Sequence, residues 1–571
     1  MTLSLPSEKA IETVLQTFDP QQIADESVRQ VIVILLNHTE QLTAEITALK
    51  AENQRLRDEN HRLKGEQGKP DIKAKRHQKA APTNHSSEVE RKTKRPHRKS
   101  NKNSHLKINR EQVVSIPKDQ LPVDAQFKGY EDVLIQDINL STDNILFRKQ
   151  KYYSASQKRT YIADLPPGYT GQFGPNLKAI AVSLYFGGNM TQGKPLDFFR
   201  DIGVSISSGQ LSNLLIQGHE SFHSEKQQVY QAGLASSPWQ HFDQTGTRVG
   251  GENLTCNIVC NPLYTVYCTT PKKDRLTVVG VLQGMGECGF LLNDVAFKLL
   301  ETFKLPQKIV SSMQQLPHDT LVSQAQFLEL LQTYLPGLGC QQQTRVLEAA
   351  AIAAYNNSQT NWPVVQTLVC DDAPQFKWLT DELSLCWVHE GRHYQKLNPS
   401  IAYHRQLLEV FLTEFWNYYR QLLAYKQRPT PETALELRCL FHQLLTTPTD
   451  YWELEKRKHL TREKESELLL VLEHPELPLH NNPAELGART MVQRRQISYG
   501  TQTQTGTQAW DTFESLVATT RKLGVSFIEY VRDRITQAGR IERLPQMIQD
   551  RAAIELLGLS WRPISLPTPN F

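Results

Sequence analysis

Three acidic residues, far apart in the chain, could together support chemistry. Asp243 ends the apolar part of W-Q-H-F-D, and Asp371 ends the apolar run V-V-Q-T-L-V-C-D. Glu485 lies in H-N-N-P-A-E-L-G-A-R, one turn inside a predicted helix. Magnesium and manganese prefer carboxylate oxygens, and phosphoryl transfer commonly uses two such ions about 3.5–4 Å apart. The set predicts a site for two Mg²⁺ or Mn²⁺ ions.

The sequence does not decide which aspartate is the second member of the set, and Glu485 is a candidate only because the two aspartates accompany it. Asp372 directly follows Asp371, and the D-A-x-x-F that comes next suits either residue, although the strand spacing favours Asp371. A glutamate in N-N-P-A-E is by itself most often an ordinary surface residue. Pro483 suits the first turn of a helix that Asn481 or Asn482 could cap, which would give Glu485 a fixed direction.

The apolar runs around these residues predict a sheet that would position them. C-N-I-V-C-N and Y-T-V-Y-C-T-T read as two strands joined around Pro262, and L-S-L-C-W-V-H reads as a strand ending at His389. The segments 291–355 and 401–473 have helical periodicity. Strands in hairpin order followed by strands alternating with helices predict a mixed α/β sheet with helical insertions.

The N-terminal region has the spacing of a leucine zipper. Seven apolar residues, one threonine and two asparagines recur in steps of three and four, at Ile32, Leu35, Thr39, Leu42, Ile46, Leu49, Asn53, Leu56, Asn60 and Leu63. Such a seam predicts a coiled coil, and asparagine at the heptad position of Ile46 favours a parallel, in-register pair. We therefore expect a homo-oligomer through residues 32–63.

Positive charge is concentrated directly after the zipper. The 571 residues carry a net charge of +4, yet positions 64–110 hold 15 Lys and Arg against 4 Asp and Glu. This polar tract includes Lys94 and Arg95, and its composition predicts a disordered linker whose charges neutralise phosphates. The sequence has no apolar run of about 20 residues and no signal-peptide pattern at its start, so we expect no membrane partner and a cytoplasmic, nucleoid-associated location.

Two further segments lie between the linker and the predicted sheet. Alternating runs from about 123 to 165 predict a small β-ribbon that ends at Pro166. Helical patterns between 174 and 220 then have the layout of a helix-turn-helix, with Gly203 in the turn and Ser207 or Ser208 capping the second helix. That second helix is poor in Lys and Arg, so a structural helical hairpin is as good an interpretation as a DNA reader.

Several motifs resemble transposases of the insertion sequence 66 family. They are G-P-N-L-K-A-I at 174–180, D-Q-T-G-T-R-V at 243–249, D-D-A-P-Q-F at 371–376, C-W-V-H-E-G-R at 386–392, H-N-N-P-A-E-L-G-A-R at 480–489 and the closing helices at 516–533. They occur in the family's order, behind a zipper and a basic linker. The resemblance implies a DDE catalytic domain of RNase H-like fold.

The same resemblance implies roles for individual residues. The catalytic and metal-binding triad would be Asp243, Asp371 and Glu485, with Asp372 as the alternative second member. DNA contacts would come from His389, Arg392, Arg494, Arg495, Lys94 and Arg95. A buried His389 without catalytic duty is an equally good interpretation. The partners implied are transposon-end DNA, target DNA and accessory proteins of the element.

The predicted organisation has six parts. They are N-terminal helices and zipper (1–64), basic linker (65–110), β-ribbon region (111–170), helical DNA-binding region (171–235), catalytic domain with helical insertions at about 286–360 and 400–475 (236–500), and C-terminal helices (501–571). The sequence departs from the family in having no cysteine knuckle before position 256, and in having Gln244 and His480 where acidic residues are usual. The alternative function is a catalytically inactive DNA-binding or regulatory protein derived from a transposase.

Overall fold

The computed structural model describes residues 15–63, 107–116, 120, 125–138, 140–286, 288–357 and 362–554. Its strands are β1 Lys151–Ser154, β2 Arg159–Ile162, β3 Trp239–Val249, β4 Glu252–Asn261, β5 Tyr264–Thr270, β6 Thr367–Cys370 and β7 Glu382–Leu385. The last five form one mixed sheet in the order β5-β4-β3-β6-β7. β3, β4 and β5 are antiparallel neighbours, whereas β6 runs parallel to β3 and β7 runs parallel to β6. The predicted mixed α/β class is confirmed.

Helices surround this sheet and make up most of the described chain. In chain order they are α1 Glu26–Leu63, α2 Pro175–Val182, α3 Gly193–Asp201, α4 Ser208–Ile216, α5 Glu220–Ala235, α6 Arg275–Leu282, α7 Asp294–Thr302, α8 Gln307–Met313, α9 Gln324–Tyr334, α10 Cys340–Asn356, α11 Trp387–Lys396, α12 Ala402–Tyr425, α13 Pro431–Thr446, α14 Trp452–Arg462, α15 Glu465–Leu468, α16 Asn482–Ser498, α17 Gln504–Lys522, α18 Phe527–Thr536 and α19 Leu544–Ile554. The helical character predicted for 291–355 and 401–473 is confirmed. None of the described helices is long and apolar enough to cross a membrane.

Two strand ends differ from the prediction. Asp243 lies inside β3, which continues to Val249 because its second half pairs with the start of β4. β7 ends at Leu385, and helix α11 begins at Trp387, so the predicted strand ending at His389 is wrong beyond Leu385. A short apolar run suits a buried strand and a buried helix equally well, and this one contains the end of one and the start of the other.

The region before the sheet is less regular than expected. In the described part of this region the ribbon consists of β1 and β2, and the apolar runs at 133–138 and 144–149 form no strand. In the predicted helix-turn-helix, Gly203 takes a φ of +84° in the turn, a conformation that favours glycine. Ser207 caps α4 by accepting a hydrogen bond from the Gln210 backbone N–H at 3.2 Å. This settles the choice between the two candidate caps.

Helix α1 is anchored near its N-terminal end and exposed over the rest. Its Glu40 carboxylate accepts hydrogen bonds from the backbone N–H of Ser400 at 2.6 Å and of Ile401 at 3.1 Å, just before α12 begins. Asn37 accepts one from the Trp452 N–H at 2.9 Å, at the first residue of α14. Two side chains of α1 therefore bind the unpaired N–H groups at the starts of two other helices.

The predicted zipper residues divide between these two parts of α1. Ile32 packs in a small cluster with the buried Leu36 and Ile401. From position 42 onward the apolar seam residues are exposed, at Leu42, Ile46, Leu49, Leu56 and Leu63. The helix predicted for this segment is confirmed, and its seam is available for a partner.

Helix α17 covers the outer edge of the sheet with side chains in place of another strand. Backbone N–H groups of β5 donate to Thr519 Oγ1 at 3.2 Å, to Ser515 Oγ at 2.9 Å and to Asp511 Oδ2 at 2.7 Å. These three acceptors are spaced four residues apart and form one stripe along the helix. The edge strand therefore leaves no row of open N–H donors along this stretch.

Candidate active site

The parallel pairing of β3 with β6 brings Asp243 and Asp371 to one level of the sheet. His241 pairs with Val369, and two residues further along each chain are the two aspartates. Residues at the same level of parallel neighbours point to the same face. Both aspartates line a cavity of about 950 Å³ beside the sheet.

Asp243 is mostly buried, and its environment disfavours its charge. Burial is the main reason that its pKa is raised to about 6, and the nearby carboxylates of Asp371 and Glu485 add to the effect. The Gln244 N–H, which donates to Asp243 Oδ1 at 2.8 Å, acts in the opposite direction. A cation bound nearby would stabilise the charged form of this carboxylate.

The two adjacent aspartates, 371 and 372, point to different partners. Asp371 lines the cavity, and its Oδ1 accepts the Ala373 N–H at 3.2 Å. Asp372 instead forms a salt bridge with Lys464 and lies 3.6 Å from Lys377 Nζ. The geometry favours Asp371 over Asp372 as the partner of Asp243.

Glu485 lies in the first turn of α16, as the sequence predicted, but the start of that helix is held differently. Asn481 makes no capping hydrogen bond within α16. Its Nδ2 donates to the Phe242 carbonyl at 2.7 Å, and its Oδ1 lies 2.9 Å from His241 Nδ1. The expected cap is therefore a cross-link from the helix to β3, made at the residue before Asp243.

A glycine lets α16 lie close against the sheet. A Cβ added at Gly487 would come within 2.9 Å of the Ile258 side chain, and Ile258 pairs with Asp243 across β3 and β4. Any larger residue must push the helix or the strand away. Since Gly487 is two residues beyond Glu485, this close approach helps set how near Glu485 comes to the aspartates.

His389 and Arg392, one turn apart on α11, both contact Glu485. His389 Nδ1 lies 3.3 Å from Glu485 Oε1, and Arg392 donates to the two carboxylate oxygens at 3.3 and 3.1 Å. Burial alone would raise the pKa of Glu485, but the contacts with His389 and Arg392 lower it to about 2. Contacts with Cys386 and with Glu485 raise the pKa of His389 to about 10. Both residues expected to meet DNA are thus paired with the third carboxylate.

The two arginines predicted on α16 have different environments. Arg494 is fully buried, lies 4.1 Å from the Tyr185 ring centre and 5.5 Å from that of Trp510, and donates to the Met190 carbonyl at 2.8 Å. The expectation that Arg494 contacts DNA is therefore wrong, because this side chain holds α16 to the segment after α2. Arg495 is partly exposed and donates to the Gly246 carbonyl on β3. Lys94 and Arg95 lie outside the described residues.

Sequence reasoning missed two cavity lysines. Lys272 and Lys273 follow β5, are exposed, and line the same cavity as Asp243. Their neighbours in the chain have other roles, since Asp274 caps α6 and Arg275 pairs with Glu348. The position of these lysines just after a strand that neighbours β4 was the available signal.

Three side-chain amides beside the cavity are linked by hydrogen bonds. Gln375 Nε2 donates to Gln244 Oε1 at 2.9 Å, and Gln244 Nε2 donates to Asn257 Oδ1 at 2.7 Å. These hydrogen bonds connect the residue after Asp243 with the loop after Asp371. Gln244, which the sequence comparison marked as a departure, therefore has neutral amide partners on both sides.

Comparison with known proteins relates the chain to a family model and to an uncharacterized protein. Residues 354–509 match the family model described as Transposase IS66 family. A protein of Sinorhizobium fredii (strain NBRC 101917 / NGR234), described as uncharacterized protein y4jO, is 33% identical over 314 residues, which are 54% of this chain and 95% of that protein. The family-model match contains Asp371, His389, Arg392 and Glu485 and begins beyond Asp243.

Proposed function

The chain belongs to the IS66 family of transposases, and from that premise we propose that it is a DDE transposase that binds the ends of a mobile element, cuts the DNA there and joins it to target DNA. The observation that carries the proposal is the meeting of Asp243, Asp371 and Glu485 from three elements. Two of them line one cavity, and the charges of all three are coupled at Asp243.

We propose that the sheet is of the RNase H-like type. What supports this is its topology: three antiparallel strands in hairpin order, followed by two strands parallel to the first. The proposed carboxylates lie on the central strand β3, just after its parallel neighbour β6, and on helix α16 across the face. The helical segments 275–356 and 402–468 are then insertions into this domain.

The residues present fit divalent metal ions such as Mg²⁺ or Mn²⁺. All three donors are carboxylates, which are hard oxygen ligands. Asp243 is buried beside two other acids, an arrangement that opposes its charge and that a cation relieves. Asp243, Asp371 and Glu485 would hold two such ions. One would activate the attacking oxygen, and the other would stabilise the leaving oxygen.

The reaction would proceed in two displacements at phosphorus in the same cavity. In the first, a water oxygen bonds to the phosphorus at the element's end, the bond to the 3′ oxygen breaks, and that oxygen takes a proton to become a free 3′-hydroxyl. In the second, the oxygen of this hydroxyl bonds to a phosphorus of target DNA and loses its proton, and the bond to the target's own 3′ oxygen breaks, so that this oxygen takes up a proton. The protein's part is to place its carboxylates in one pocket and to position the DNA.

Several cationic side chains would position DNA around that pocket. Lys272 and Lys273 stand at the cavity wall, where the aspartates would otherwise repel a phosphodiester. His389 and Arg392 adjoin Glu485, and Arg495 lies beside Gly246 on β3. The basic segment that contains Lys94 and Arg95 would add sequence-independent contacts to backbone phosphate.

We also propose that two chains pair through the exposed seam of α1, so that two element ends are held together. The exposed Leu42, Ile46, Leu49 and Leu56 support this, because isolated helices rarely leave such a row open to water. Accessory proteins of the element and association with the nucleoid are part of the same proposal. All of these partners act on or with DNA.

The test is cleavage and joining of labelled DNA from both ends of the element, in Mg²⁺ or Mn²⁺, with any accessory proteins supplied. Glu485→Gln keeps the side-chain shape and removes the charge, so we expect both reactions to disappear while DNA binding persists. Glu473→Gln is the matched control, because Glu473 is an exposed glutamate that also pairs with an arginine, Arg438. Its activity should equal that of the wild type.

A second pair of variants tests the choice of aspartate. Asp371→Asn should abolish cleavage, whereas Asp372→Asn should retain a measurable rate, because Asp372 is bound to Lys464 and does not line the cavity. Equal loss in both would refute the assignment. Wild-type protein that binds element ends but neither cuts nor joins them would favour the alternative, a DNA-binding protein derived from a transposase.

A further inference from the structure

A second group of metal donors shares Glu485 with the proposed catalytic site. Cys386, His389 and Glu485 each offer one donor atom, and the three atoms lie within 4.8 Å of one another. The thiol comes from the residue before α11, the imidazole from its first turn and the carboxylate from α16. Asp243 and Asp371 are not part of this group.

The donor types differ from those of the carboxylate site. A sulfur, a nitrogen and an oxygen ligand together suit zinc and similar borderline-soft ions and not magnesium. Zinc bound at about 2.0–2.3 Å in tetrahedral geometry separates its donors by roughly 3.3–3.6 Å. The Nδ1–Oε1 distance between His389 and Glu485 is 3.3 Å, so this pair already has that spacing.

Cys386 Sγ is held in place by a backbone contact from the residue before α16. The Asn481 backbone N–H donates to Cys386 Sγ at 3.3 Å. The thiol also lies directly before the first residue of the ten-residue helix α11, three residues from His389. A hydrogen bond from a backbone N–H is a common outer contact of metal-bound thiolate.

We propose that Cys386, His389 and Glu485 bind one thiophilic divalent cation of the zinc class, and that this ion withdraws Glu485 from the two aspartates. Three protein ligands leave a fourth position for water or an added ligand. Binding at this site does not require the chain to be a transposase. Only its inhibitory effect rests on the proposed function.

Cobalt is a suitable probe, because Co²⁺ occupies zinc sites and shows a sulfur-to-metal charge-transfer band when a thiolate binds it. The full chain would carry Cys340→Ser and Cys439→Ser, which remove the two exposed thiols. We expect a band that saturates at one Co²⁺ per chain and disappears when one equivalent of Zn²⁺ is added. Excess Mg²⁺ should leave the band in place.

Single substitutions in this background assign the ligands. His389→Gln should weaken Co²⁺ binding about tenfold or more, whereas His393→Gln, one turn further on the same helix and also partly buried, should leave the affinity unchanged. Cys386→Ser should remove the band, and Cys260→Ser, a buried cysteine on β4, should retain it. Circular dichroism melting checks that each variant is folded, and His389→Gln tests the site even if Cys386→Ser fails to fold.

A competition experiment tests the shared carboxylate. Bound Mn²⁺, followed by electron paramagnetic resonance, should fall when one equivalent of Zn²⁺ is added, and the fall should be absent in His389→Gln. Absence of a thiolate band in the background protein, or a band unaffected by Cys386→Ser, would overturn the site. Independent binding of Zn²⁺ and Mn²⁺ would overturn the withdrawal of Glu485. None of these readouts depends on DNA cleavage, so failure of the proposed function would be seen separately.

Discussion

Arg392 offers a direct test of how Glu485 is held before metal arrives. Its guanidinium donates to both oxygens of the carboxylate that the proposed mechanism needs as a metal ligand. A cation entering the site must therefore compete with Arg392 for Glu485. Arg392→Gln removes the charge and keeps a polar, though shorter, side chain, so we expect Mn²⁺ to bind more tightly to this variant than to the wild type.

The magnitude follows from the strength and exposure of the contact. Hydrogen bonds to charged groups contribute about 1.5–3 kcal/mol. The Arg392 side chain is 37% exposed, so solvent screening reduces its share to about 1 kcal/mol. Because 1.4 kcal/mol corresponds to a tenfold change, the Kd for Mn²⁺ should fall roughly fivefold.

The assay is a Mn²⁺ titration near neutral pH without DNA, by calorimetry or paramagnetic resonance. Arg438→Gln is the matched control, since Arg438 is 39% exposed and also pairs with glutamates, but away from the cavity. Its Mn²⁺ affinity should be unchanged. Unchanged or weaker Mn²⁺ binding in Arg392→Gln would refute the reasoning and would mean that Arg392 supports Glu485 as a ligand.

Three further predictions concern other parts of the structure. Gly487→Val should abolish cleavage and lower the free energy of unfolding by about 1–3 kcal/mol, because the valine side chain would meet Ile258. Adding Ile258→Ala to this variant should restore part of the activity. Full activity of Gly487→Val alone would contradict the prediction. Asp243 has a pKa raised to about 6, so the folded, metal-free protein binds its proton at higher pH than the unfolded chain does. The free energy of unfolding of the wild type should therefore rise as pH falls from 6 towards 4. Asp243→Asn should raise the free energy of unfolding by about 2–3 kcal/mol above pH 6, measured by urea unfolding. A difference between variant and wild type that does not change with pH would contradict this. Asp511→Ala should cost about 1–3 kcal/mol in the same assay, because the Thr269 N–H loses its acceptor, and an unchanged midpoint would contradict it.

The sequence was sufficient for the features that depend on local pattern. Apolar runs bounded by turns located β3, which carries Asp243, and β6, which Asp371 directly follows. Helical periodicity located the helices at 291–355 and 401–473. The first turn of α16 was evident from Pro483 and the asparagines before it. These features follow from side-chain spacing within a few residues, which a single sequence displays directly.

The features that could not be predicted depend on contacts between distant segments. Whether Arg494 is exposed is decided by Tyr185 in the segment after α2 and by Trp510 in α17, which form cation–π contacts with it. Asn481 has the residue type of a helix cap, but its side chain bonds to His241 and to the Phe242 carbonyl. In both cases a remote partner outcompeted the local role that the residue type suggested.

The choice between Asp371 and Asp372 has the same origin. Asp371 and Asp372 are neighbours that follow the end of β6, and the sequence does not tell which of the two lines the cavity. Lys464, in the turn between α14 and α15, binds Asp372. The distinction therefore needed the position of a lysine more than 90 residues away in the chain.

The attachment of α1 has a mechanical consequence for an assembly of two chains. Glu40 and Asn37 fasten this helix to the starts of α12 and α14, so we expect the rest of α1, the arm, to move together with the sheet and its helices, the body. From Glu40 to Leu63 the arm is about 35 Å long at 1.5 Å per residue. A parallel pair of arms would bring both bodies to the same end of the shared axis, whereas an antiparallel pair would hold them at opposite ends. The asparagines of the seam would then select the arrangement in which the two catalytic pockets are neighbours, and so set the span of DNA between the two cuts.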